Sequence, residues 1–287
     1  MKIATWNVNS IKARLPNILE WLGEAKPDVV LLQETKTVDD AFPAMEIEDL
    51  GYNIAIHGQK TYNGVAILSK FPIEDVERGL PGNDDDEQAR YIEATIAGNN
   101  PIRVASIYVP MGTEVGSEKF AYKLNFLDRL IKRFEKIHAS GEAAVMGGDY
   151  NITPDDSDVY DPIKLHETVL CSTIERKKLR TMVNMGYTDA FRTFNPQGHQ
   201  YSWWDYRAGA WNKDNGLRID HLYLTPAAAD RLSASDIDRD PRATIDPQCG
   251  PDRLPPGFQM QRAAEKFCYP FSVSCCVVRR EFPGQYR

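Results

Sequence analysis

Five apolar runs in this chain each end in a polar side chain of the kind that handles phosphate or a metal ion. They run from Ile3 to Asn9, Val29 to Glu34, Val104 to Tyr108, Ala144 to Asn151 and Leu217 to Asp220. Their terminal groups are Asn7, Glu34, Tyr108, Asp149 with Asn151, and Asp220. A strand buried in a sheet carries no solvated group until it leaves the sheet. A carboxylate or amide at its last position therefore sits on the rim, where several strands can aim at one point. The set holds carboxylates, amides and a phenol, with no Ser–His or Cys–His pair. That inventory suits a hard cation with oxygen ligands and a water nucleophile.

Each residue has a plain reading beside the chemical one. Glu34 closes a strand, and a lone carboxylate plus waters suits magnesium, which keeps most of its hydration shell; otherwise it is a surface or capping glutamate. Asn7 can hold phosphate or metal-bound water, or merely satisfy a turn. In Gly147-Gly148-Asp149-Tyr150-Asn151 the glycines let the backbone turn tightly. Alternation puts Asp149 and Asn151 on one face, where Asp149 can take a proton from water and Asn151 can position that water or a phosphate oxygen. An Asx turn is the alternative. The Tyr108 phenol can donate to a phosphate oxygen or leaving group, or be a half-buried strand tyrosine. Arg90 and Arg207 are candidate phosphate contacts. Asp84-Asp85-Asp86-Glu87 reads as a solvated loop, not a metal site.

The elements that must position these groups follow from periodicity. Ile11, Leu15, Ile18, Leu19 and Leu22 share one face of a helix over 10–25, with Ser10 as N-cap. A second helix over 118–138 carries Phe120, Leu124, Leu127, Ile131 and Phe134. A third over 173–185 turns Ile174, Leu179, Met182 and Val183 inward and stops at Gly186. Strands are expected near 2–6, 28–33, 52–57, 64–69, 91–97, 102–108, 143–147 and 219–224. The short link between 52–57 and 64–69 makes that pair antiparallel. Mixed sheets with helices on their outer faces result.

Several motifs carry a resemblance. Trp6-Asn7-Val8-Asn9-Ser10-Ile11, Leu32-Gln33-Glu34-Thr35-Lys36, Gly147-Gly148-Asp149-Tyr150-Asn151 and Gly216-Leu217-Arg218-Ile219-Asp220 resemble the exonuclease III family of apurinic/apyrimidinic endonucleases. So do His57-Gly58-Gln59-Lys60, Gly64-Val65-Ala66-Ile67-Leu68 and Ser202-Trp203-Trp204-Asp205-Tyr206-Arg207. Each is weak alone; together they keep the family's order over residues 1–240. The resemblance implies a DNase I-like α/β fold, a two-layer mixed β-sheet sandwich flanked by helices. It implies a phosphodiesterase using Mg2+, or Mn2+, that cuts double-stranded DNA 5′ to abasic sites and trims 3′ ends. Glu34 and Asn7 would serve the metal, Asp149 would act as general base, and Asn151, Tyr108 and Asp220 would complete the catalytic set. Trp203 resembles the aromatic that lines the family's pocket for a flipped-out baseless sugar. Met111 stands where the family carries a polar residue. A same-fold enzyme acting on a phosphoinositide or sphingomyelin, and a nucleic-acid-binding module on a decayed catalytic scaffold, remain rival readings.

The resemblance ends near residue 240. Family members close with Ser-Asp-His and an apolar strand, whereas the five histidines here stop at His221. Asp220 would orient that closing histidine, and His221 points to the opposite face, so it is no replacement. The first 240 residues read as one domain. Residues 241–287 are an atypical tail: frameshifted or disordered, or a genuine lineage-specific ending. Only the stretch from Tyr269 to Phe282 alternates like a strand. Cys249, Cys268, Cys275 and Cys276 crowd the tail without zinc spacing. With 287 residues, 42% hydrophobic, the chain can bury a full core. A net charge of −7 argues against general polyanion binding but not against a local basic groove. No apolar run reaches membrane length and no secretory pattern opens the chain, so a cytoplasmic monomer without membrane contact is expected.

Overall fold

In the computed structural model, residues 1–205 and 207–238 are described in full and 276–279 as backbone. The chain begins with β1 (Ile3–Asn7), α1 (Ile11–Ala25) and β2 (Val29–Gln33). α2 (Ala44–Glu48), β3 (Asn53–His57), β4 (Val65–Ser69), β5 (Ile73–Arg78), β6 (Tyr91–Ile96) and β7 (Ile102–Tyr108) follow. The long α3 (Glu118–Ser140) leads to β8 (Ala144–Asp149), α4 (Thr173–Asn184), β9 (Thr188–Asp189) and α5 (Ala190–Phe194). Then come β10 (Trp203–Trp204), β11 (Gly216–Leu217), β12 (Asp220–Leu224), α6 (Pro226–Ala229), β13 (Ala234–Ile237) and β14 (Cys276–Arg279).

Two six-stranded sheets result, ordered β13-β14-β1-β2-β4-β3 and β5-β6-β7-β8-β12-β9. β1 with β2 and β7 with β8 pair in parallel, and the other pairs are antiparallel. Strand side chains alternate between faces, and here the alternation sorts three layers of core. Ile3, Val29, Leu31, Ile67, Val104, Val145 and Leu222 meet between the sheets. Trp6, Ile11, Ile18, Leu22, Val30 and Leu32 fill the space under α1. Ala105, Phe126, Leu127, Phe134, Met146, Leu179 and Met182 pack α3 and α4 on the second sheet. The architecture is the expected mixed-sheet sandwich with helices outside.

The three long helices start where the sequence signals them. Ser10 Oγ accepts from the Ala13 N–H, Ser117 Oγ from the Phe120 N–H, and Ser172 with Glu175 forms a capping box. Three expectations need correction. Ile174 and Val183 are exposed, because α4 lies on the sheet through Leu179 and Met182 only. Asp86 does not point to solvent with its acidic neighbours. It turns inward to accept from Arg129 Nη1 at 2.7 Å and Tyr122 Oη at 3.0 Å. The edge strands β5 and β13 and the short β9, β10 and β11 add to the expected set; their burial is partial or their length too small for a readable period. In the tail, β14 lies within the alternating stretch 269–282 and pairs antiparallel with β1 and β13. Cys249, Cys268, Cys275 and the rest of 241–287 lie outside the described residues.

β8 carries the tightest constraint. It is parallel to β7, with Ile107 opposite Gly148 and Tyr108 opposite Asp149. A Cβ at Gly148 would stand 1.9 Å from the Ile107 carbonyl oxygen, at a φ of +157°. Only glycine lets Asp149 reach the end of its strand in register with Tyr108. Gly148→Ala is therefore expected to cost about 3 kcal/mol or more, the upper range for overpacking a close-packed interior. A thermal midpoint equal to the parent's would show that β7 and β8 can part without loss.

Candidate active site

The alternation that builds the inter-sheet core also directs the polar strand ends. Positions 3, 5 and 7 of β1, 104, 106 and 108 of β7, and 220, 222 and 224 of β12 each share a face. Asn7, Tyr108, Asp149 and Asp220 thus continue the apolar stripes of the inner faces. Between stripe and rim lies a polar belt joining the sheets. Gln33 Nε2 donates to Thr5 Oγ1 at 3.0 Å and to Ser106 Oγ at 2.9 Å, and Ser106 Oγ donates to the Leu32 carbonyl at 2.8 Å. Above that belt the row of catalytic candidates begins.

Register fixes the row. Asp149 lies opposite Tyr108 on one side and Asp220 on the other. From the facing sheet, Asn7 Nδ2 donates to Glu34 Oε1 at 2.7 Å and to Asp149 Oδ2 at 2.9 Å. Its Oδ1 accepts from the Asn9 N–H at 3.1 Å. One amide therefore joins the two carboxylates, acting through its donors. Lys36 Nζ stands 2.8 Å from Glu34 Oε2 and also donates to Asn9 Oδ1. The remaining Asp149 oxygen accepts from the Asn151 N–H at 2.9 Å, while Asn151 Nδ2 donates to the Val109 carbonyl at 2.9 Å. Asn9, Ser10, Glu34 and Asn151 all have positive φ, between 42° and 95°. Non-glycine residues rarely adopt it, and each such residue at the rim is held at a cost in backbone strain.

Burial sets the protonation. It pushes the Asp149 carboxyl up to about 7; the Asn7 hydrogen bond resists this, and the Glu34 charge adds to it. Burial likewise holds the Tyr108 phenol well above its usual range, with the Glu34 charge acting in the same direction, so it is a neutral donor. The Arg90 guanidinium lies 4.7 Å over the Tyr108 ring, and its Nε is tied to Gln88 Oε1 at 2.7 Å. Asp220 is wholly buried, and its Oδ2 accepts from Ser202 Oγ at 2.8 Å.

The donor set fits a hard dication. Glu34 and Asp149 are held by one amide at the rim, and no group of three or more His, Cys, Asp or Glu suited to a metal occurs among the described residues. An ion there would keep much of its water, as magnesium prefers.

Two other candidates share one cavity. Trp203, half-buried, lies opposite Leu217 and lines a cavity of about 540 Å³ with Tyr160, Leu170, Cys171 and Leu217. Arg207 lies on that cavity, exposed, in an ion pair with Asp205 at 2.9 Å. Trp211 is structural: it meets the buried Trp204 edge-on at 4.7 Å, and Trp204 packs likewise on Tyr201. His221 points away from Asp220 as expected. Asn9, Lys36 and Ser202 join the site from within the quoted motifs, where the sequence gives them no mark of their own. The buried Lys123 is a further addition, and a lysine three residues after Phe120 on an apolar helical face is its signal.

A family model described as the Endonuclease/Exonuclease/phosphatase family matches residues 4–257. Exodeoxyribonuclease III of Haemophilus influenzae is 35% identical over 257 residues, covering 86% of this chain and 96% of that protein. Among solved structures, a 3′-5′ exonuclease from Neisseria meningitidis is 36% identical with a TM-score of 0.85, covering 98% of this chain and 100% of that one. A single-residue variant of a Neisseria 3′ phosphatase, solved bound to product DNA hairpin, is 36% identical with a TM-score of 0.84 and the same coverage. An AP endonuclease from Archaeoglobus fulgidus is 35% identical with a TM-score of 0.84, again with that coverage.

The titration of Asp149 has a consequence for stability. Its carboxyl sits near 7 when folded and at 3.8 ordinarily, so between those values the native state binds more protons than the unfolded one. In metal-free buffer, stability from this group is full below about pH 4 and is lost as pH rises through 7. Asp149→Asn is expected to abolish that fall, leaving the variant more stable than the parent at pH 8 in the presence of EDTA. Parallel stability–pH curves for the two proteins would count against the assignment.

Proposed function

The chain belongs to the Endonuclease/Exonuclease/phosphatase family, and on that premise we propose a magnesium-dependent DNA-repair phosphodiesterase of exodeoxyribonuclease III type. It cleaves duplex DNA 5′ to abasic sites and trims 3′ ends. The observation that carries the reading is the single Asn7 amide holding Glu34 and Asp149 together at a rim shared with Tyr108.

Asp149 in its ionised form takes the proton from the attacking water, and a dication beside it would favour that form over the protonated one that burial favours in the metal-free protein. Asn151 holds that water or a phosphate oxygen. Tyr108, kept neutral, donates to the phosphate or the leaving oxygen. Arg90, stacked on Tyr108, offers charge to a phosphate from the side. Glu34 would hold magnesium, with Asn7 beside it, and the ion when bound supplies positive charge to the phosphate oxygens. Asn7 serves that site by orienting both carboxylates. Trp203 gives the cavity an apolar wall suited to a baseless sugar, and a 3′ terminal phosphate, the group a 3′ phosphatase such as the Neisseria one removes, calls for the same attack by water. A lipid-phosphate substrate has less support, since the relatives that cover this chain are DNA enzymes.

Turnover of an abasic duplex across a magnesium titration tests the assignment. Asp149→Asn is expected to lose on the order of 10²-fold or more at every magnesium concentration, the worth of a general base. Glu34→Gln is expected to need far more magnesium while still binding DNA. A loss under about fivefold for Asp149→Asn puts the base elsewhere, and DNA binding without turnover in the parent favours a decayed scaffold.

Trp203→Ala separates the pocket from the chemistry. Cleavage at abasic sites is expected to fall more than release of 3′-terminal nucleotides. Equal losses on the two substrates would make Trp203 a packing residue only.

A further inference from the structure

The turn after β8 is held from both sides by buried side chains that the chemistry above does not use. Asn151 has a φ of 50°, a left-handed conformation that costs a non-glycine residue on the order of 1 kcal/mol. The carbonyls of Asn151 and the next residue, Ile152, each receive a side-chain donor. From α3, Lys123 Nζ donates to the Asn151 carbonyl at 2.7 Å. From β12, His221 Nε2 meets the Ile152 carbonyl at 2.9 Å. Both donors are fully buried.

Each is itself anchored. Lys123 also donates to the Met111 carbonyl at 3.1 Å and pairs with buried Glu175. Glu175 accepts from the Leu170 and Ser172 N–H groups as the capping carboxylate of α4. On the other side Arg218 Nη1 lies 3.0 Å from His221 Nδ1. Arginine can only donate, so Nδ1 accepts and the ring proton is on Nε2, aimed at Ile152. Arg218 is held by Asp158 at 2.6 Å and Asp189 at 2.9 Å. Burial and the Arg218 charge keep the imidazole neutral, with its pKa lowered to about 4. Tyr150 and Tyr223 pack against the ring at 5.5 and 5.6 Å.

We propose that Lys123 and His221 are positioning residues that clamp consecutive carbonyls of the Asn151 turn. The clamp holds the Asn151 side chain toward substrate and its N–H on the Asp149 carboxylate. This rests on the reading of Asn151 as the group that holds water or phosphate. His221 thus acts through the outer face of β12, away from the reacting atoms.

The test compares His221→Leu, which removes the donor, with His221→Gln, whose amide can still donate near the Nε2 position. A second arm replaces the ion pair as a unit, Lys123→Met with Glu175→Gln, so that no charge is left buried alone. His221→Leu and the paired variant are expected to lower kcat by about tenfold or more, the scale of a small misplacement. KM for DNA should stay within about twofold, as for a group that does not bind substrate. His221→Gln should retain most of the activity. In an Asn151→Ala background the same changes should cost nothing further, because both act through one side chain. A substrate-free readout accompanies this: the Asn151 amide should exchange faster in His221→Leu and in the paired variant, but not in His221→Gln.

Losses that add to that of Asn151→Ala overturn the proposal, as do equal losses for the Leu and Gln variants. Unchanged amide exchange in folded His221→Leu overturns the clamp itself. If His221→Leu fails to fold, the paired variant carries the comparison. A parent that turns over no DNA overturns the functional reading and the catalytic half of this proposal, while the exchange result still decides whether the clamp exists.

Discussion

One amide between two carboxylates sets the terms for this molecule. Asn7 Nδ2 spans from Glu34 in one sheet to Asp149 in the other, at 2.7 and 2.9 Å. A side chain this short can do so only where the two sheets bring their strand ends within a few ångströms. The sheets must therefore be packed through small groups near that end. Gly147 shows how closely: an added Cβ there would lie 2.5 Å from side-chain atoms of both Leu31 and Leu222. The close approach concentrates negative charge, because Glu34 and Asp149 share one donor group. Lys36 offsets part of it at Glu34. Asp149, buried, answers by holding its proton to about pH 7. A hydrated dication at the rim would relieve the same repulsion, so the feature that strains the site is the one that suits it to metal and phosphate.

The inner faces form a gradient. Apolar stripes give way to the Thr5–Gln33–Ser106 belt, and the belt to the row of Asn7, Tyr108, Asp149 and Asp220. Each step is one alternation further along the same strands. The belt matters energetically, because a buried polar group without partners costs more than a hydrogen bond returns. Gln33 meets this by bonding to both sheets, which ties the register of β2 to that of β7. The strained turns at Asn9, Ser10, Glu34 and Asn151 are borne by this framework. Their conformations would relax if the strands beneath them could slide.

Much of this is legible in the residues. Strand ends announce themselves because a buried run cannot carry Asn, Glu or Asp until it reaches the rim, and the structure gathers Asn7, Glu34, Tyr108 and Asp149. The three long helices are legible from period and caps. The rest is hidden for physical reasons. Ile174 and Val183 fit a helical stripe yet face out, because the surface under α4 is narrower than the apolar stripe. Lys123 sits in plain view on an apolar face, but its partner Glu175 is 52 residues away and no local pattern links them. The direction in which Asn7 acts is also unreadable: a terminal amide can accept for a metal or donate between carboxylates, and only the facing sheet decides. Arg207, from a matching motif, stands exposed on the Trp203 cavity and pairs with its neighbour Asp205.

Charge shapes how such a site can hold DNA. The chain is acidic overall, at −7, and several of its cations are spent inside. Lys123 is paired with Glu175, Arg218 with Asp158 and Asp189, and Arg129 with Asp86. Those cations are matched by buried carboxylates, so they lend no charge to the surface of the described residues, and a chain of acidic net charge attracts a polyanion only weakly at long range. In the proposed function, the cations at hand near the rim are Arg90 against Tyr108 and Lys36 beside Glu34. In the proposed function, discrimination would fall to the Trp203 cavity and the row of Asn7, Tyr108, Asp149 and Asp220, which offer shape and hydrogen-bonding groups rather than net charge.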